Sequence, residues 1–194
     1  MDYKANFIEL VRNNVKREGV DKLLDWLEKT DFYTAPASTK FHNNIEGGLC
    51  AHSVNVYNRF INLLKQEYGE NWTDTLSLES ATIIALFHDL CKVDYYKIEY
   101  RNVKVNNEWV QKPYFSVDDS LPYGHGEKSV YIVNGFLRLT REEAMAINWH
   151  MGGYDARVKG GSYSIADAFY KYPTSLLFHV ADLQSTYLDE KTFN

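Results

Sequence analysis

The sequence predicts an all-α fold with one inserted β-hairpin, which covers about residues 95–117. Apolar residues recur at helical spacing through most of the chain. In the hairpin segment that period gives way to β-branched and aromatic residues interleaved with polar ones, as in strands. The 194 residues are 45% hydrophobic and show no internal repeat or linker, so residues 1–194 are expected to form one domain.

The first helix is predicted over about residues 3–18. Phe7, Val11 and Val15 recur there at helical spacing, and Gly19 is expected to end the helix.

A second short helix is predicted over residues 23–27, and the composition of residues 31–38 favours a loop. The next apolar-periodic stretch indicates a helix of about 20 residues that begins near Gly48. His52 lies one turn from Val56 in that helix, so it is expected on or beside the buried face.

Ser77 is a candidate cap for the next helix, which has an apolar run at residues 81–87 and then His88 and Asp89. A histidine and an aspartate are costly to bury unless something pairs with them. Lys92 follows three residues later, where a cation either complements the helix dipole or contacts a phosphate.

In the predicted hairpin, Asn106–Glu108 is the expected turn. The alternation slips between Tyr100 and Val103, which allows a bulge there. A two-stranded hairpin alone is marginally stable, so it is expected to pack on the helices.

Two further helices are predicted after the hairpin. His125 stands at the start of the first, and Thr140 with Glu143 forms a capping box for the second. His150 stands at the C-terminal end of that helix, just before the glycines at 152 and 153 that stop it.

The last predicted helix begins at Pro173, after a glycine-rich polar loop over residues 154–163. His179 and Asp182 are three residues apart in this helix and therefore share a face.

Most histidines of the chain thus interrupt apolar helical faces or stand at helix ends. Neutral imidazole and carboxylate are both good ligands for divalent cations, so the pattern suits a metal site in the core of a helical bundle. The residues concerned are His52, His88, Asp89, His125, His150, His179 and Asp182.

The order His…His-Asp…Asp in helical context resembles the HD-domain superfamily of metal-dependent phosphohydrolases. The resemblance runs from about Pro36 to Tyr187, and its first part looks like a segment of bacterial HD-domain exoribonucleases. His-Asp-x-x-Lys, completed by Lys92, is also a pattern of the superfamily.

The resemblance implies an HD-domain helical bundle that binds divalent cations, expected to be two, with manganese, iron, magnesium, cobalt, nickel and zinc all open. Two cations about 3.5–4 Å apart would bind a bridging water and lower its pKa. Asp89 would bridge them. The implied ligands are His52, His88, Asp89 and Asp182 for the first ion, and Asp89, His125 and His150 for the second.

Five residues are expected around this centre. Lys92 is a candidate phosphate contact, and His42 is a candidate acid for the leaving group unless it is a plain loop histidine. His179 would orient a ligand or serve only in the core. Arg157 and Lys159 are candidate substrate contacts, with a solvated loop as the alternative.

The expected function is hydrolysis of a phosphoester in a small-molecule nucleotide or a short single-stranded nucleic acid. A di-iron oxygenase acting on a small polar substrate and a non-catalytic binding module remain as alternatives. The net charge of −5 argues against a broad surface for duplex nucleic acid. The sequence shows no apolar leader and no membrane-spanning stretch, so a cytoplasmic protein without a membrane partner is expected.

Overall fold

The computed structural model describes residues 2–190, which form nine α-helices and one antiparallel pair of strands. The predicted helical fold with one hairpin is therefore confirmed. The elements are α1 Tyr3–Asn14, α2 Val20–Leu27, α3 Gly48–Tyr68, α4 Leu78–Phe87, β1 Tyr96–Val105, β2 Glu108–Val117, α5 His125–Asn134, α6 Arg141–Asn148, α7 Ala156–Lys159, α8 Ser164–Lys171 and α9 Pro173–Gln184.

Helix α4 lies at the centre of the helical part. Every residue from Ser80 to Phe87 is buried, which a helix reaches only when neighbours cover it on all sides. It packs against α1, α3 and α6, while α9 packs against α3 and α6. The end of α4, with His88 and Asp89, therefore lies in the interior between α3, α6 and α9.

Local capping signals set several helix ends. Ser77 accepts a hydrogen bond at 3.1 Å from the backbone N–H of Ser80, as predicted for the start of α4. The capping box of Thr140 and Glu143 is present in both directions at the start of α6. These contacts satisfy backbone N–H groups that a helix leaves unpaired.

The predicted role of Gly19 is wrong. Helix α1 already ends at Asn14, because the backbone of the buried Val15 turns extended. Gly19 adopts a left-handed φ of 95° and starts α2 instead. A Cβ atom at this position would lie 2.0 Å from the carbonyl oxygen of Phe136, so the close approach of another segment also requires glycine.

The hairpin has a continuous register from the Tyr96–Val117 pair to the Val105–Glu108 pair, so the predicted bulge is wrong. Its turn consists of Asn106 and Asn107, with φ values of 49° and 71°. Two left-handed residues give the turn a twist that matches the strands, and asparagine tolerates that conformation.

The expected packing of the hairpin on the helices is also wrong. Tyr100 is 66% exposed and Trp109 71% exposed, so the strand pair projects from the helical part. At its base, the hydroxyl of Tyr96 donates a hydrogen bond at 3.4 Å to the carbonyl of Ala37. The hairpin is therefore held by the loop before α3.

Two helices near the end of the chain were not foreseen. The predicted loop over residues 154–163 contains the single-turn α7, and α8 follows it directly. Across residues 2–190, none of the helices has the length and apolar character needed to cross a membrane.

Candidate metal centre

The site begins where α4 stops. His88 is fully buried and Asp89 is 2% exposed, directly after the last helical residue, Phe87. Asp89 starts a 3₁₀ turn that contains Lys92. The apolar helix thus places an imidazole and a carboxylate side by side in the core, where both require polar or ionic partners.

The carboxylate of Asp89 lies between two pairs of histidines. Its Oδ2 atom lies 3.6 Å from Nε2 of His52 and 3.5 Å from Nε2 of His88. Its Oδ1 atom lies 3.0 Å from Nε2 of His125 and 3.4 Å from Nε2 of His150. Each carboxylate oxygen therefore faces a different pair of imidazoles.

Asp182 joins the site from α9. Its Oδ1 atom lies 3.2 Å from Nε2 of His52, which is itself 3.3 Å from Nε2 of His88. Asp182, His88 and His150 also offer ligand atoms that all lie within 4.8 Å of one another. The structure thus brings together all six side chains that the sequence proposed as ligands.

The backbone sets the tautomer of two of these histidines. Nδ1 of His88 donates to the carbonyl of Ala85 at 2.9 Å, and Nδ1 of His150 donates to the carbonyl of Ile147 at 2.6 Å. A neutral imidazole that donates through Nδ1 presents a lone pair on Nε2. Both Nε2 lone pairs therefore face the centre beside Asp89.

The Nε2 atom of His150 is the observation that bears on whether a metal ion fits the site. It is buried and makes no well-formed hydrogen bond within residues 2–190. A buried nitrogen without a partner costs free energy. A divalent cation satisfies this lone pair together with the facing carboxylates, so the donor set fits a metal ion.

Glu190 is a site residue that the sequence interpretation missed. Its carboxylate oxygens lie 3.0 and 3.2 Å from Nδ1 of His52. Asn55 donates to it at 2.9 Å and Ser185 at 2.7 Å. Glu190 therefore holds the far side of the His52 ring, as carboxylates do behind metal-bound histidines.

The charges of the site divide unequally between its histidines. Burial lowers the pKa of His52, but Glu190 and Asp182 raise it to about 10. Burial lowers the pKa of His88 to about 3, against the opposing effect of Asp89. Without a cation, His52 thus carries the proton between two carboxylates, and a metal ion would take the place of that proton.

Lys92 is bound to Asp89 directly. Its Nζ atom donates to Oδ2 of Asp89 at 2.6 Å, and both side chains are buried. Burial raises the pKa of Asp89, while Lys92 and His88 hold it well below its usual range. Asp89 is therefore ionised and held in place by Lys92. The expected contact between Lys92 and phosphate stays a prediction.

His42 lies beside the site on the loop before α3. Its ring centroid is 4.9 Å from that of His52. In the described part of the chain, neither ring nitrogen has a hydrogen-bond partner. Burial, with His52 and Lys92 nearby, lowers its pKa to about 4. The ring is thus neutral near pH 7, and its predicted role as an acid stays a prediction.

His179 contacts the backbone next to a candidate ligand. Its Nδ1 atom donates at 2.6 Å to the carbonyl of His150. A Cβ atom on Gly152 would lie 2.2 Å from the His179 ring, so glycine is required there. His179 therefore positions the turn that carries His150 through the backbone of that residue.

The two cations proposed as substrate contacts lie on the single-turn helix α7. Arg157 pairs with Asp155 and Glu127 at 2.7 Å each, and its guanidinium stacks 3.9 Å from the ring of Trp149. Lys159 is exposed, and its substrate role, like that of Arg157, stays a prediction.

Comparison of the chain with protein-family models, curated proteins and solved structures finds no match. The buried histidine and aspartate groups are close enough together to hold a metal ion. Any function assigned to the site consequently rests on the sequence pattern and on this geometry.

Proposed function

We propose that the chain is an HD-domain metal-dependent phosphohydrolase that cleaves a phosphoester of a nucleotide or a short single-stranded nucleic acid. One observation carries the proposal: the two oxygens of Asp89 face two separate pairs of histidines. A carboxylate placed between two ligand sets suits a pair of divalent cations bridged by that carboxylate.

The contacts support two sets of ligands. The first ion would be held by His52, His88, Asp89 and Asp182, and the second by Asp89, His125 and His150. When bound, divalent cations supply a water of lowered pKa and offset negative charge on a phosphoryl group.

The residues of the chain prepare the site for an anionic substrate. His125 has a side chain 29% exposed and Asp182 one 13% exposed, so substrate approaches from their side of the centre. Lys92 and the Asp89 carboxylate keep each other ionised. The neutral ring of His42 carries one N–H for a hydrogen bond to a substrate oxygen.

The proposal is tested by elemental analysis of purified protein and a screen of phosphomonoesters and phosphodiesters with each candidate metal. Hydrolysis that requires added metal supports it, and absence of hydrolysis with every metal and ester contradicts it. Oxygen consumption without phosphate release, in an iron-loaded sample, would instead indicate an oxygenase. Asp118→Asn is the matched control for substitution of Asp89 by asparagine, because the Asp118 side chain, just after β2, is 70% exposed.

The second ion has its own test. His125→Ala and His150→Ala should each lower bound metal from about two per chain to about one, with a large loss of turnover. Unchanged metal content and rate in both variants would show a mononuclear site.

A further inference from the structure

The hairpin has one face of exposed aromatic residues. Its register places Tyr100 opposite Pro113 and Lys104 opposite Trp109, and all four share that face because alternate residues point the same way. Tyr100 and Trp109 are 66% and 71% exposed. Large, solvent-exposed aromatic side chains on one face of an ordered strand pair are typical of a binding surface.

The hairpin is also basic in an acidic chain. Residues 96–117 contain four basic and two acidic side chains, a net charge of +2, while the whole chain has −5 and the remainder therefore −7. The hairpin thus carries a net positive charge, with Lys104 on the aromatic face and the other three basic side chains on the opposite face. The charged residues are Lys97, Arg101, Lys104, Lys112, Glu99 and Glu108.

A groove of about 380 Å³ lies between the base of the hairpin and the loop before α3. Ile98 and Phe115 line it with apolar surface, and Lys40 and Arg101 are the charged residues among its described lining. This combination of flat apolar surface and positive charge fits a ligand that carries rings and phosphates.

The groove and the candidate metal centre share a wall. Lys40 lines the groove, and two residues later His42 places its ring 4.9 Å from that of His52. Tyr96, at the base of the aromatic face, bonds the same loop through the carbonyl of Ala37. A ligand that lies along the face and groove is therefore directed towards the buried carboxylate of Asp89.

We propose that the aromatic face and the groove bind single-stranded nucleic acid. Bases stack on Tyr100 and Trp109, Lys104 contacts phosphate on the same face, and Lys40 contacts phosphate in the groove, as aromatic and basic side chains do in proteins that bind single strands. Binding itself is independent of the proposed hydrolysis. Only the further statement that the strand end reaches Asp89 rests on the proposed function.

The length of the face sets the probe. Eight residue steps from Tyr96 to Lys104 span roughly 26 Å at ~3.3 Å per residue. At ~3.4 Å per stacked nucleotide, this corresponds to about eight nucleotides. Fluorescein-labelled oligomers of eight deoxythymidines and of eight uridines are the test ligands, because together they distinguish DNA from RNA.

Binding is measured by fluorescence anisotropy in chelator, so that hydrolysis does not contribute. Tyr100→Ala and Trp109→Ala should each weaken binding by about 5- to 150-fold, the effect of losing one stacked base. Lys104→Gln should reduce the logarithmic salt slope by about 0.7, as expected for one phosphate contact on a single strand. Tyr163→Ala and Tyr170→Ala, at positions 86% and 87% exposed on other elements, should leave the affinity unchanged.

Three results would overturn the proposal. They are no saturable binding of either oligomer, wild-type affinity in both aromatic variants, or a loss of affinity in the control variants as large as in the aromatic variants. Self-association of the wild type that Trp109→Ala abolishes, without oligomer binding, would make the face a contact between two copies. The wild type separates the two hypotheses. Oligomer binding by the wild type without hydrolysis in the presence of any candidate metal would leave the binding surface standing and reject only the proposed function.

Discussion

The ionic cluster around Arg17 and the one around Asp89 differ in how their charges are paired. In the first, Arg17 makes two hydrogen bonds to Glu143, at 2.7 and 2.9 Å, and the Glu143 side chain is fully buried. Arg17 also donates to the carbonyl of Arg138 and to Glu79. Arg17 and Glu143 each have a partner of opposite charge, and the result is a closed structural pair.

The cluster around Asp89 is not closed in this way. Four imidazoles face one carboxylate, and Nε2 of His150 is left without a well-formed hydrogen bond in the part of the chain that the structure describes. Burial of charge alone therefore does not indicate function, since both clusters contain buried charged side chains. The indicator is the surplus of ligand atoms that face one point.

Asp89→Asn gives the largest expected effect. The amide keeps the shape of the side chain but removes the charge that both histidine pairs face, so bound metal should fall to near zero. Turnover should fall by ~10³-fold or more, the scale of losing a principal electrostatic contribution. Metal content by mass spectrometry and steady-state rates check this, and normal metal content would remove Asp89 from the ligand set.

Arg17→Met tests the closed cluster. It leaves Glu143 buried without its partner and should lower the free energy of unfolding by about 3–5 kcal/mol. Metal content of the folded protein should stay at the wild-type level. Chemical denaturation measures the change in stability.

The double variant Arg17→Met with Glu143→Gln is its control. It removes both charges and keeps a side chain able to hydrogen-bond Thr140, so most of the lost stability should return. A double variant as unstable as Arg17→Met alone would show that packing, and not the uncompensated charge, causes the loss.

Much of the fold was predictable because its signals are local. The start of α3 near Gly48, the Ser77 cap and the hairpin limits depend on residues within one or two turns of one another. Helix α8 was missed because its formation depends on what it packs against. The exposure of one face of the hairpin was missed for the same reason. Tertiary context decides such elements.

The candidate site was predicted only in part, for a related reason. The six ligand candidates are recognisable because histidine and aspartate interrupt apolar stretches in a particular order. Glu190 interrupts no apolar helical face and contacts His52 from 138 residues away along the chain. Only the folded path of α9 and the π-helical turn Ser185–Asp189 brings the two together.

Glu190→Gln extends the comparison to a residue behind the ligands. The variant removes the charge that holds the His52 ring through Nδ1, and metal affinity should fall about 10- to 100-fold. Competition with a chromogenic chelator measures this. Asp189→Asn is the matched control, because its neighbouring carboxylate pairs with Arg59 at the surface and should not affect the metal. Equal affinities in both variants would limit Glu190 to a role in folding.

The smallest expected effect is the pH dependence of the closed cluster. Burial raises the pKa of Glu143, but the hydrogen bonds from Arg17 and from the backbone of Thr140 lower it below its usual value. A carboxyl whose pKa is lower in the folded state contributes stability that is present above its unfolded pKa of about 4.3. That contribution is lost as the pH falls through the folded pKa.

The difference in unfolding free energy between wild type and Glu143→Gln should therefore shrink between pH 7 and pH values below about 4. Taking this difference cancels the titration of the Asp89 cluster, which both proteins share. A difference that is constant over the whole range would mean that the Glu143 charge adds nothing to the hydrogen bonds that glutamine retains.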